Sequence, residues 1–191
     1  MQIKHSTIEE VLEALRQGKP VLVTDAEDRE NEGDAIIAAE FATPEWLAWM
    51  IRYTSGYICA PMTEARANDL DLPLMYVNTQ DPHHTAYTVS VDAMERESTG
   101  ISAHDRALTG RVLADPKSSP GSLMRPGHVI PLRAKDGGVL ERPGHTEAAV
   151  DLMKLAGLEP VAMMAEMVND DGTMMRGEEL FETSLRFDLP M

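Results

Sequence analysis

The ten residues Asp25-Ala26-Glu27-Asp28-Arg29-Glu30-Asn31-Glu32-Gly33-Asp34 separate two apolar runs, Val21-Leu22-Val23 and Ala35-Ile36-Ile37-Ala38-Ala39. Runs this short and this apolar read as buried strands, so a highly charged loop is held between two strands of a core sheet. The loop packs six carboxylates around one arginine. Such a stretch can be an ordinary solvated turn. Its place at a strand end, where ligand sites of α/β proteins gather, and its Gly-Asp exit straight into a strand favour a shaped site. Hard oxygen donors of this kind suit Mg²⁺ or Mn²⁺, whereas the absence of a second cysteine beside Cys59 argues against a thiolate zinc site.

Outward from the loop, short strands alternate with amphipathic helices. Ser6-Thr7-Ile8-Glu9 reads as a capping box before the stripe Ile8, Val11, Leu12 and Leu15, with Gly18 as the stop. Thr43-Pro44 opens a second helix carrying Leu47, Met50 and Ile51. Strands are expected at Tyr57–Ala60, Tyr87–Val91, Val129–Leu132 and Val161–Met164. Helices are expected over Thr63–Leu70, from Ser102 to about Val112, over Thr146–Ala156 ahead of Gly157, and over Gly177–Leu185. Asn169-Asp170-Asp171-Gly172 is a hairpin turn. No repeat or linker-like composition shift interrupts the 191 residues, so one domain is expected.

The formal net charge of −15 repels nucleic acid and anionic membranes, so neither is an expected partner. No apolar run approaches the roughly 20 residues needed to cross a bilayer, and the single cysteine suits a reducing cytoplasm. So acidic a surface also disfavours a phosphorylated ligand at long range. Any phosphate site must be locally cationic. Arg142-Pro143-Gly144-His145-Thr146 offers one, because an arginine, a glycine turn and a hydroxyl residue open a helix whose free N–H groups point outward. His145 there can ligate a metal or move a proton. The same tetrapeptide R-P-G-H stands at Arg125–His128, before a strand, and the two read as independent Pro-Gly turns. Thr99-Gly100-Ile101-Ser102 is either a second anion-binding helix start or a plain N-cap. Glu166, delivered by an apolar strand, is either buried and paired or a working acid/base. Cys59 reads as a small core residue, and His83, His84 and His104 as loop or surface residues.

Together these segments resemble the 3,4-dihydroxy-2-butanone 4-phosphate synthases of riboflavin biosynthesis. The match runs through DAEDRENEGD at 25–34, SGYICAPMT at 55–63, HTAYTVSVDA at 84–93 and STGISAHDRALT at 98–109, then the whole of 125–157 and NDDGTMMRGEEL at 169–180. The resemblance implies an α+β fold, a single three-layer domain with a mixed twisted β-sheet flanked by helices, and a homodimer with its sites near the subunit interface. It implies a lyase that converts D-ribulose 5-phosphate to L-3,4-dihydroxy-2-butanone 4-phosphate and formate with two Mg²⁺ ions, Mn²⁺ being a possible substitute. Carried over, Glu30 and His145 are the metal ligands. Arg29, Glu30, Asp34, Arg142, Pro143, Gly144, His145, Thr146 and Glu166 contact the substrate, with Arg142 and Thr146 near the phosphate. His128 and Glu166 match the essential pair, and Asp34 is a third catalytic candidate. Two departures stand out: His84 and His104 replace the family's usual glycine and alanine. The chain is also expected to be a monofunctional form that stops short of a C-terminal strand and helix. Competing readings are a metal-dependent aldolase or isomerase, and an acidic divalent-ion or nucleotide-binding module.

Overall fold

The computed structural model describes residues 3–191. Chain order gives α1 (Ile8–Arg16), β1 (Val21–Thr24), β2 (Gly33–Ala38), α2 (Pro44–Tyr53), β3 (Cys59–Thr63), α3 (Glu64–Asp69), β4 (Val91–Ala93), α4 (Ala103–Ala114), β5 (Leu123–Ala134), α5 (His145–Ala156), β6 (Ala162–Glu166) and α6 (Gly177–Phe187). The strands form one six-stranded sheet in the order β1-β2-β6-β3-β5-β4. Only β3 and β5 run parallel; the other pairs are antiparallel.

The period-two geometry of a strand explains the layers. In β2, Ile36 and Ala38 face a core shared with Val11 and Leu15 of α1 and Ala149 and Met153 of α5, while Ala35 and Ile37 face Leu47 and Met50 of α2 and Leu113 of α4. Every residue of β2 is buried. A strand apolar on both faces must be covered on both, and this one is. The expected three-layer α+β domain with a mixed sheet is the fold.

Local signals place most boundaries. Thr43 accepts from the Trp46 N–H with Pro44 in the first turn of α2, and Gly157 takes φ +74° after α5. The capping box of α1 sits one residue later than expected: Thr7 and Glu10 make it, while Ser6 Oγ instead accepts the Met191 N–H at 3.2 Å. Two strand expectations need correction. Tyr87-Thr88 forms only isolated bridges, to Leu132 and Leu74, and the strand proper is Val91–Ala93. The strand expected at Tyr57–Ala60 begins at Cys59 and continues to Thr63, after Gly56 at φ +72° has turned the chain. Strand β5 extends well beyond Val129–Leu132 because it is the long central partner of both β3 and β4.

Candidate active site

Three backbone features converge at one end of the sheet. Asp34, near the start of β2, lies opposite Glu166, at the end of antiparallel β6, so their side chains share a face. The N-terminus of α5 brings Gly144, His145 and Thr146 to the same place, and the 25–34 loop folds over it. Arg29, Glu30, Asp34, Arg142, His145, Thr146 and Glu166 line one cavity, together with Glu32, Cys59, Thr85 and Tyr87. A larger groove between α1 and α6, lined by Lys4, Glu13, Lys19 and Asp188, holds none of these residues.

The floor of the cavity sets one imidazole against two carboxylates. His145 Nδ1 lies 3.5 Å from Glu30 Oε2 and 3.8 Å from Asp34 Oδ1. His145 Nε2 and Asp34 Oδ1 are both buried with no hydrogen-bond partner. Burial, reinforced by the charges of Glu166, Glu30 and Glu32 against the opposing pull of His145, pushes the Asp34 carboxyl up to about 7. Burial works against a charged His145, but Asp34, Glu30 and Asp25 outweigh it and hold the imidazole above its ordinary value. The contact with His145 dominates at Glu30, whose carboxyl is held low against burial with help from Arg29.

Ligand atoms of Asp25, Glu30 and His145 lie within 4.8 Å of one another. Two carboxylates and an imidazole around unpartnered buried atoms form a donor set that fits a divalent cation. Nothing in the sequence marks Asp25 as a ligand above the other carboxylates of its loop. Its oxygens already accept the Glu30 and Glu32 N–H groups and Arg29 Nη1, each at 2.9 Å, so its first role is to brace the loop. Burial would raise its carboxyl, yet these donors bring it below the usual value.

The rim is cationic. Gly144 is the N-cap of α5 and no side chain caps it, which leaves N–H groups of the first turn free. A Cβ on Gly144 would meet Arg142 Nη1 at 2.3 Å and Arg29 Nη2 at 3.1 Å, so both guanidinium groups close on this one glycine. Arg142 is firmly anchored: Nη1 donates to Glu147 Oε2 at 2.5 Å, Nη2 to Thr85 Oγ1 at 2.8 Å and Nε to the His83 carbonyl at 2.9 Å. Three of the five donors of an arginine are thereby used and two remain for an anion. Arg29 also contacts Glu30 directly. Glu147, Thr85 and Tyr87 escaped the sequence reading.

His83 is more than a surface loop residue: its Nε2 lies 3.9 Å from Glu30 Oε1 and its carbonyl holds Arg142. His84 takes φ +52°, a conformation that favours glycine. His104 is exposed beside Glu97 and Asp105. The Thr99–Ser102 segment is a plain cap. Ser102 accepts the Asp105 N–H, and the Asp105 carboxylate takes the Glu97 and Gly100 N–H groups and the Ser98 hydroxyl, which hold it down at about 2. Cys59 is buried, and burial pushes its thiol well above the ordinary range. Glu166 is half-buried and paired, its Oε2 accepting from Ser55 Oγ at 2.6 Å. His128 does not line the cavity; its Nδ1 lies 2.8 Å from Asp92 Oδ2.

Residues 9–191 match the sequence pattern of the family described as 3,4-dihydroxy-2-butanone 4-phosphate synthase. The chain belongs to that family. It is 62% identical over 174 residues to the riboflavin biosynthesis protein RibBA of Salinispora arenicola, covering 91% of this chain and 41% of that protein. It is 55% identical over 177 residues to the 3,4-dihydroxy-2-butanone 4-phosphate synthase of Saccharomyces cerevisiae, covering 88% of this chain and 85% of the yeast protein. The chain thus spans less than half the length of the RibBA relatives, and most of the yeast synthase. Among solved structures, a 3,4-dihydroxy-2-butanone 4-phosphate synthase in complex with two magnesium ions superposes with a TM-score of 0.95 at 49% identity, covering 97% of this chain and 91% of that one. Among the described residues, no helix is long and apolar enough to cross a membrane.

Proposed function

We propose that this chain converts D-ribulose 5-phosphate to L-3,4-dihydroxy-2-butanone 4-phosphate and formate, as a magnesium-dependent lyase of riboflavin biosynthesis. The observation that carries the reading is the pairing of two unlike half-sites in one cavity. The unpartnered Asp34–His145 floor suits hard cations, and the Arg29–Arg142–Gly144 rim suits a phosphate. Glu30 and His145 are the proposed ligands for two Mg²⁺ ions, with Mn²⁺ as a substitute. When bound, the ions would supply Lewis acidity toward the substrate oxygens as negative charge develops on them.

The side chains divide the remaining work. Arg142, Thr146 and the free N–H groups of α5 bind the phosphate, and Pro143 and Gly144 shape the turn that lets the guanidinium groups approach. Arg29 neutralises Glu30 and faces the same anion. Asp34 has no hydrogen-bond partner on Oδ1 and a pKa near 7, so it can orient a substrate hydroxyl or take its proton near neutrality. Glu166, held by Ser55, serves as a second acid/base at a different substrate atom.

His128, the other member of the pair matching the family's essential residues, lies outside its own chain's cavity. A homodimer, with sites at the subunit interface, is therefore part of the proposal. Exposed Tyr57, Met94 and Ile101, adjacent in sequence to Gly56, Ala93 and Gly100, supply apolar surface for it on the His128 side. The setting is expected to be cytoplasmic. Incubation with D-ribulose 5-phosphate and Mg²⁺, followed by formate assay, tests the whole reading. Formate is expected; isomerised sugar without formate would instead establish the isomerase alternative.

A further inference from the structure

The Asp92–His128 pair occupies the one irregular place in the β4–β5 ladder. Val91 pairs with Val129, but the next residue, Asp92, pairs with Met124, so Arg125–His128 has no Cα partner on β4. Looped-out residues expose backbone N–H groups, and here side chains take them. Ser90 Oγ accepts the Gly127 N–H at 3.1 Å, and Asp92 Oδ1 accepts the His128 N–H at 2.8 Å. The second carboxylate oxygen, Oδ2, then meets His128 Nδ1 at 2.8 Å. One carboxylate therefore grips both the backbone and the ring of the same histidine. Irregularities of this kind re-aim a side chain out of the ladder.

The fit around the carboxylate is tight. Asp92 is 1% exposed. A Cβ on Gly100, which has φ +104°, would fall 2.0 Å from Asp92 Oδ2, and a Cβ on Gly127 would fall 2.0–2.2 Å from the Val91–Asp92 backbone. Gly100 thus leaves room for the carboxylate itself, and Gly127 for the strand backbone that carries it. Buried Arg106, whose guanidinium is lowered by burial and supported by the charge of Asp92, is the cation on that side. The His128 side chain keeps 37% of its surface.

We propose that Asp92 is a positioning residue for the reaction: it fixes the His128 ring and its tautomer, with the proton on Nδ1 and the lone pair of Nε2 facing outward. The chemistry follows from the donor inventory. A carboxylate only accepts, so Nδ1 must donate and Nε2 is left free to accept a proton. The assignment rests on the reading that His128 works in catalysis, and the experiment separates the two.

Asp92→Asn preserves the shape and the Oδ1 contact to the backbone but offers Nδ1 an N–H, which favours the opposite tautomer. With Mg²⁺ and D-ribulose 5-phosphate, its kcat is expected to fall by roughly 10²–10⁴-fold, the usual weight of a positioned acid/base, with KM nearly unchanged. Long-range ¹H–¹⁵N spectra under alkaline conditions, assigned with His128→Gln, are expected to show Nδ1–H in the wild type and Nε2–H in Asp92→Asn. Wild-type turnover in Asp92→Asn beside an inactive His128→Gln overturns the role of Asp92 and leaves His128 standing. An active His128→Gln overturns both. Should Asp92→Asn fail to fold, the wild-type spectrum alone decides: a proton on Nε2 overturns the proposal.

Discussion

The carboxyl group of Asp34 makes the metal-free protein less stable than it would otherwise be, and Asp34→Asn should reveal by how much. Its pKa rises from 3.8 to about 7 on folding, and the residue is 2% exposed, so solvent does not screen the effect. An acid whose folded pKa is raised binds its proton more tightly when folded. Its cost is absent below pH 3.8, grows as pH climbs toward about 7, and is complete above that. A shift of about three units corresponds to about 4 kcal/mol at most, with 1.36 kcal/mol per unit. The amide that replaces the carboxyl leaves a buried polar group unsatisfied at a cost of about 1–3 kcal/mol, which does not vary with pH. In chelator, Asp34→Asn should therefore be no more stable than wild type near pH 4, and about 1–3 kcal/mol more stable at pH 8. The pH-dependent part of the difference, about 4 kcal/mol, is independent of the amide penalty. Urea unfolding of both proteins across this range measures it. A difference that stays flat with pH would refute the reasoning, since it would mean that Asp34 ionises alike in folded and unfolded chains.

The other consequences concern the cation, the anion and the core. Glu30→Gln removes one proposed ligand and should abolish Mg²⁺ binding and formate release together; Mg²⁺ affinity retained in calorimetry would move the ions elsewhere. Because Asp34, Glu30 and Asp25 outweigh burial and hold His145 above its ordinary pKa, its proton competes with a cation for the imidazole, so Mg²⁺ affinity should fall on acidification. An affinity independent of pH would contradict that competition. Arg142→Lys loses the planar fork that satisfies Glu147, Thr85 and the His83 carbonyl at once, and should raise KM for the sugar phosphate by roughly 10–100-fold; an unchanged KM would remove Arg142 from the phosphate site. Leu47→Ala, at a fully buried position of α2 in the core on the sheet face opposite α5, should cost about 2–5 kcal/mol in urea unfolding, with kcat per folded molecule unchanged.

The local elements and the composition of the site could be read from the amino-acid order alone, because their causes are local. Caps such as Thr43-Pro44 and Gly157, and apolar runs such as Ala35–Ala39, act within a few residues, and the charged 25–34 loop and R-P-G-H-T segment display their chemistry directly. What the chain order could not contain is who stands beside whom. The antiparallel register that sets Asp34 against Glu166 spans more than a hundred residues. The closeness of Arg29 and Arg142 to Gly144 depends on how the loop folds over α5. The anchoring of Arg142 comes from two segments with no shared pattern, the 83–85 loop with His83 and Thr85, and Glu147 in α5. The interrupted strand at Tyr87–Val91 shows the same limit, since alternation says which face is apolar but not how far pairing with a neighbour runs unbroken. The two R-P-G-H turns make the point most directly. Identical in sequence, one starts helix α5 beside the carboxylates of Glu30 and Asp34, and the other is looped out of β5 around Asp92. Their different fates are set by neighbours that only the packed sheet supplies: a carboxylate across the ladder in one case, and two arginines over a helix end in the other.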